Sequence, residues 1–304
     1  MAISAKDVME LRKQTDCGMM ECKKALTQAD GDFEKAIEIL REQGLATASK
    51  KAGRIAAEDM VYAATFPNCA VVVEVNAETD FVAKNEKFVA FTKDLAQVVA
   101  EQNPADVEAL MACKMGEGTV DDALKQLILV IKENIKVRRF VRYEGPCAAY
   151  VHGGGTHAVL VNFETSDEIA AKPEFTAYGK DIAMQIAAAN PSYLDEASVP
   201  AEVIDKEKEI MLVQMSSDPK NANKPEAVKI KMIEGKLKKY YKENCLVDQE
   251  FVKDGDLSVA QYTAKVAKEL GGDIKIVKFA RFQKGEGLEK RSDDFAAEVA
   301  SMVK

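Results

Sequence analysis

Tryptophan is absent from the 304 residues, and histidine occurs only at positions 152 and 157. An oriented acid–base pair is hard to assemble from so little imidazole. Both histidines flank Gly153-Gly154-Gly155, which reads as a hairpin turn. No Gly-Lys-Ser/Thr follows that run, so it is not a phosphate cradle. Cys147 lies near His152, but the spacing gives no nucleophile with an oriented base. The six cysteines, at 17, 22, 69, 113, 147 and 245, form no Cys-x-x-Cys pair. They read as buried thiols of a cytosolic protein, not as disulfides or metal ligands. With no calcium loop and no His/Cys ligand spacing, no metal or cofactor is expected. No apolar run reaches the roughly 18 residues of a membrane span. The opening Met1-Ala2-Ile3-Ser4-Ala5-Lys6-Asp7 lacks the basic start and apolar core of a signal peptide. A formal charge of −8 argues against nucleic acid as the main partner. The basic clusters Lys136–Arg142 and Lys229–Lys239 read as solvated faces. What remains is a protein that acts by contact rather than an enzyme.

What is present is an ordinary globular composition, 47% hydrophobic and 30% charged, and its patterning predicts an α+β fold. Ser4 with Asp7 forms a capping-box start for a helix carrying Val8 and Leu11. A second helix begins near Gly18, and a third carries Phe33, Ala36, Ile37 and Leu40, with Gly44 at its C-terminal end. Ala46–Arg54 reads as a linker. Two apolar runs, Met60–Phe66 and Cys69–Val75, meet at Pro67-Asn68 and predict a β-hairpin. Phe88, Phe91, Leu95 and Val98 then form a helical stripe, as do Leu124, Leu127, Ile128 and Ile131.

The pattern repeats. Ala158–Asp167 resembles Ala70–Asp80, each a strand ending in a Glu-Thr turn before a helix. In the second copy that helix carries Phe175, Tyr178, Ile182 and Ile186. Helical patterns over Pro200–Met215 and Pro225–Asn244 predict a hairpin inserted into the second half, with Ile230, Ile233, Leu237 and Tyr241 on one face. The expected organisation is a three-helix module with its linker over 1–55 and one α+β half-domain over 56–142. A second half-domain covers 143–190 and 245–287, split by the hairpin at 191–244. A C-terminal helical module, with a helix from Asp293 to Val303, covers 288–304.

Thr79-Asp80-Phe81-Val82 has a structural explanation from spacing alone. Asp80 suits a helix N-cap, and Phe81, seven residues before Phe88, falls on the core stripe. Met19 and Met20 at a helix start equally suit packing. Yet Leu11–Leu26, with Gly18-Met19-Met20, and Asn76–Val82 resemble two signatures of bacterial elongation factor Ts. Further matches run through Lys180–Met184, Glu234–Lys239, Phe251–Asp254 and Arg281–Lys290, so the resemblance spans almost the whole chain. The chain departs at Asp16-Cys17, where the family usually has Gly-Ala, and at Gln185, where a histidine is common.

The resemblance implies a ubiquitin-associated-like N-terminal module, a coiled-coil hairpin, and guanine nucleotide exchange on elongation factor Tu. It implies that Asp80 and Phe81, flanked by Thr79 and Val82, disturb the partner's Mg²⁺ site. Met19 and Met20 would grip its nucleotide-binding domain, and His152 would touch another domain. A homodimer through the hairpin is compatible with this organisation. Two other readings stay open: a binding protein of this fold without exchange activity, and a small-molecule enzyme using Cys147 and His152.

Overall fold

The computed structural model describes residues 3–218 and 224–288; the expected C-terminal helix lies outside the described residues. Helices α1 (Ala5–Thr15), α2 (Met19–Gln28) and α3 (Phe33–Lys51) enclose Val8, Leu11, Cys22, Ala25, Leu26, Ala36 and Leu40. Ser4 accepts from Asp7 N at 3.2 Å while the Asp7 carboxylate takes Ser4 N at 3.0 Å, closing the capping box. Contrary to expectation, α3 does not stop at Gly44 and absorbs most of the linker. Gly44 is buried inside α3, where a Cβ would meet the Lys125 carbonyl oxygen at 3.3 Å. The glycine permits close helix approach instead of ending the helix.

Two antiparallel three-stranded sheets follow. One orders β1 (Glu58–Phe66), β2 (Cys69–Ala77) and β5 (Lys136–Glu144) with β2 central. The other places β7 (His157–Glu164) between β6 (Cys147–His152) and β10 (Lys275–Gln283). Short helices α4 (Asp80–Ala83) and α8 (Asp167–Ala170) follow the central strands, then long ones, α5 (Glu86–Gln102) and α9 (Pro173–Ala189). In the first half come α6 (Val107–Ala112), the small hairpin β3 (Lys114–Met115) and β4 (Gly118–Thr119), and α7 (Val120–Ile131). In the second come α10 (Ala201–Ser217), α11 (Glu226–Asn244), the hairpin β8 (Glu250–Phe251) and β9 (Asp254–Ser258), and α12 (Val259–Leu270). The element order of the first half therefore recurs, with α10 and α11 in the place of α6. Helices α7 and α12 even begin alike, in capping boxes Thr119/Asp122 and Ser258/Gln261.

The halves pack sheet to sheet. Val71, Val73 and Val75 face α5 and α7, whereas Ala70 and Val72 meet Ala158 and Leu160 across the interface. Val159, Val161 and Phe163 face α9 and α12. Strand β2 is thus covered on both faces and buried along its whole length. Contact between α9 and its sheet depends on Gly179, whose Cβ would lie 2.8 Å from that of Ala148. Gln185, the departure from the family pattern, is fully buried. It donates to Glu250 O at 3.1 Å and accepts from Val252 N at 2.8 Å, tying α9 to β8. In the inserted hairpin α10 and α11 meet through Met211, Met215, Ile233 and Leu237, while Ile230 stands outside that contact and is exposed, against expectation.

Polar groups enter the sheet–sheet interface at one end. A bulge in β5 sets Arg138 and Arg139 against Glu74, so consecutive side chains reach one carboxylate. Arg138 Nη1 lies 2.6 Å and Arg139 Nε 2.5 Å from the buried Glu74, and Arg139 Nη2 reaches Glu286 at 2.7 Å. Arg138, Arg139 and Arg142 are accordingly held in ion pairs rather than on the expected solvated face, while Lys136 is exposed as expected. Asp59, opposite Asn76, is buried beside Glu74 and accepts from Gly285 N at 3.1 Å. Burial pushes the Asp59 carboxyl up to about 7, Gly285 N–H opposing and Glu74 adding to the rise.

Two outcomes follow. Gly179→Ala gains up to about 1 kcal/mol of helix propensity but drives α9 off Ala148; a net loss of about 1–2 kcal/mol is expected in urea unfolding. Between the ordinary value of 3.8 and about 7, folded Asp59 keeps a proton that the unfolded chain has released. Its contribution to stability therefore falls as pH rises through that window and stays low above it. Asp59→Asn is expected to reduce the loss between pH 5 and pH 8, read from urea midpoints at the two pH values; an unchanged loss would show that Asp59 ionises normally.

Candidate protein-contact site

Strand β2 ends at Ala77, and the chain turns through Glu78 and Thr79 into α4. The turn is fixed from outside. One Glu133 carboxylate oxygen accepts from Glu78 N at 3.1 Å and Thr79 N at 3.0 Å; the other accepts from Thr79 Oγ1 at 2.7 Å. Glu78 in turn accepts from Asn134 N at 2.6 Å, and Asn134 Nδ2 donates to Arg54 O at 2.7 Å. Thr79 also caps α4, its Oγ1 accepting from Val82 N at 3.4 Å.

This geometry changes two expectations. Asp80 is not the cap but the first helical residue, paired with Lys84 at 3.0 Å. That hydrogen bond holds its carboxyl below the usual carboxylate value. Phe81 does not join the Phe88 stripe. Helix α4 ends at Ala83 and α5 begins anew behind the Asn85 cap, so a seven-residue period does not carry across the break. Phe81 is 82% exposed, while Val82 packs on the core formed by β2 and α5. A bare phenylalanine beside an ionised carboxylate, on a turn with a fixed backbone, suits insertion into another protein.

Met19 and Met20 open α2 and are 50% and 64% exposed. Gly18 is the cap of this helix, its N–H donating to Glu21 at 2.9 Å. Glu21 pairs with Lys132, and Lys132 is the residue before Glu133. The same turn after α7 therefore holds the methionine end of the three-helix module and the Phe81 turn. Asp16, a departure from the family pattern, adopts the left-handed conformation a glycine would favour and reaches Lys87 at the start of α5, 3.3 Å away.

His152 lies at the tip of the β6–β7 hairpin, exposed, its Nδ1 2.9 Å from the Tyr150 hydroxyl. Gly155 O accepts from Val61 N at 3.3 Å, so the expected hairpin turn is tied to β1. Glu58, three residues earlier on β1, stands opposite Ala77. About 10 Å of strand separates these two points. Cys147 and His152 sit five positions apart on β6, on opposite faces. The Cys147 thiol, pushed up by burial, meets the Tyr143 carbonyl and Asn162. No nucleophile–base pair forms between these two residues. Among the described residues no group of His, Cys, Asp and Glu is arranged to hold a metal ion, and no helix is long and apolar enough to cross a membrane.

The family model described as Elongation factor TS matches residues 78–286, beginning at this turn. Elongation factor Ts of Clostridium perfringens is 49% identical over 306 residues, covering 99% of each chain. That of Syntrophotalea carbinolica is 49% identical over 312 residues, covering 100% of each. That of Clostridium tetani is 46% identical over 309 residues, covering 99% of each. These full-length matches take in the methionine module that the family model leaves out. The chain belongs to the elongation factor Ts family.

Proposed function

We propose that the protein promotes release of GDP from elongation factor Tu, so that GTP can rebind during translation elongation. The reading rests above all on Phe81, an exposed ring at the tip of a turn with a fixed backbone. Phe81 inserts as an apolar wedge near the partner's Mg²⁺ site, the largest local charge there. Asp80, released from its exposed pair with Lys84, acts on the surroundings of that ion. Breaking an exposed ion pair costs little. Met19 and Met20 grip the nucleotide-binding domain, their adaptable thioether chains fitting an uneven surface, and His152 touches another domain. Residues 1–55, the two half-domains and the hairpin at 191–244 act as the modules of this contact, and the hairpin offers a surface for a second copy.

Ten-thousandfold faster release corresponds to roughly 5.5 kcal/mol of barrier. Two side chains are a small source for that, so a broad interface must supply binding energy that distorts the nucleotide site. Linkage then requires that bound nucleotide weaken the factor's own grip to the same extent. The factor speeds exchange without choosing which nucleotide wins.

Stopped-flow release of a fluorescent GDP analogue from elongation factor Tu tests this. Wild type is expected to accelerate release, and Asp80→Ala/Phe81→Ala to lose at least about tenfold of that effect. Because Phe81 is exposed, Phe81→Ala should shift unfolding free energy by no more than about 0.5 kcal/mol. Acceleration that survives the double change would move the contact elsewhere. No acceleration at all by a folded wild type would leave a binding protein of this fold.

A further inference from the structure

The repeated halves supply an internal comparison at the Phe81 turn. Thr79 and Ser166 are corresponding caps, each accepting from the N–H three residues on, Val82 and Ile169. Asp80 matches Asp167, and Val82 matches Ile169; both apolar residues pack inward. Between them Phe81 is matched by Glu168, whose side chain is also solvent-directed, 87% exposed. The turn that anchors α4 has its own counterpart. Helix α7 ends in a left-handed Lys132 and α12 in a left-handed Gly271. Counting on from these caps, Glu133 corresponds to Gly272, Asn134 to Asp273, and Ile135 to Ile274, both isoleucines buried.

Only one half therefore has the carboxylate that closes on the turn backbone. In the other, Thr165 Oγ1 donates to the Asp273 carbonyl at 2.8 Å. A Cβ at Gly272 would meet Ile169 Cδ1 at 2.6 Å, so a side chain there would have to displace the buried Ile169. The exposed phenylalanine and the clamp occur together in one copy, and both are missing from the other. The clamp contributes little to the core, since Glu133 touches the two turn amides and a hydroxyl.

We infer that Glu133 is a positioning residue for the proposed exchange activity, fixing the Glu78-Thr79 backbone so that Phe81 is presented before the partner arrives. Lys132 and Asn134 extend the same role, Lys132 toward the methionine module through Glu21 and Asn134 toward Arg54. The inference rests on the exchange reading above. A misplacement of 1 Å at a working group can cost about a hundredfold, so the rate depends on the backbone position of Phe81 as well as on its ring.

The test has two arms on the full chain. GDP release from elongation factor Tu is measured over a range of concentrations of wild type, Glu133→Ala and Glu133→Gln. Glu133→Ala is expected to lower the maximal rate roughly 10- to 100-fold, with the half-saturating concentration changed less than about threefold, because the broad interface is intact. Glu133→Gln keeps an acceptor in place and is expected to restore most of the rate. In the second arm, hydrogen exchange of the free protein should speed up at the Glu78, Thr79 and Val82 amides in Glu133→Ala and stay unchanged in β2. An undiminished maximal rate in Glu133→Ala, or unchanged exchange at those amides, overturns the inference while wild type still accelerates GDP release. Failure of wild type to accelerate release overturns the exchange reading instead, and the amide arm still decides whether Glu133 orders the turn.

Discussion

Strand β2 is buried on both faces, and the rest of the protein is arranged around that fact. A central strand in a solvated sheet would alternate apolar and polar residues, but here Val71, Val73 and Val75 belong to one core and Ala70 and Val72 to another. Each valine or alanine removed from water fixes a layer on its own side, so helices must cover one face and the second sheet the other. Where β2 does carry polar side chains, at Glu74 and Asn76, it must supply them with partners inside the protein. Two arginines brought together by a bulge answer Glu74. The strand leaves this buried network two residues before the turn that carries Asp80 and Phe81, and it therefore reaches the surface from a rigid base.

The two faces of α7 are a second constraint on the same region. Leu124, Leu127 and Ile128 face the half-domain core, whereas Leu129 closes the core of the three-helix module. One helix thus belongs to two cores, and its C-terminal turn inherits contacts to both. The exposed methionines and the exposed phenylalanine are held in relation to each other by consecutive residues, Lys132 and Glu133.

Much of this was legible in the sequence because its signals are local. Phe88, Phe91, Leu95 and Val98 follow the helix period and are buried; Phe66 and Cys69 close the hairpin around Pro67-Asn68. The repeat is legible in the central strands, their Glu-Thr turns and the helices that follow, yet it extends to the small hairpins and to α7 and α12. The errors arose where a local rule met a long-range contact. Gly44 resembled a helix end because a glycine that admits a neighbouring backbone looks the same as one that caps. Phe81 fell in register with Phe88 only on the assumption of one continuous helix. Glu133 gave no signal at all, since its partners Glu78 and Thr79 lie 55 and 54 residues away.

The inserted α10–α11 hairpin leaves and rejoins the second half at a narrow neck. Ser192 and Tyr193 amides both donate to Asn244 O, Leu246 N donates back to Tyr193 O, and Tyr193 bridges to Cys245. The two ends of the insertion are therefore held side by side independently of anything farther out. Beyond such a neck, doubling the enclosed chain would add only about 0.6 kcal/mol of closure entropy. The half-domain is thus largely insensitive to how far the hairpin extends, and its length is free to follow whatever the outer surface must reach.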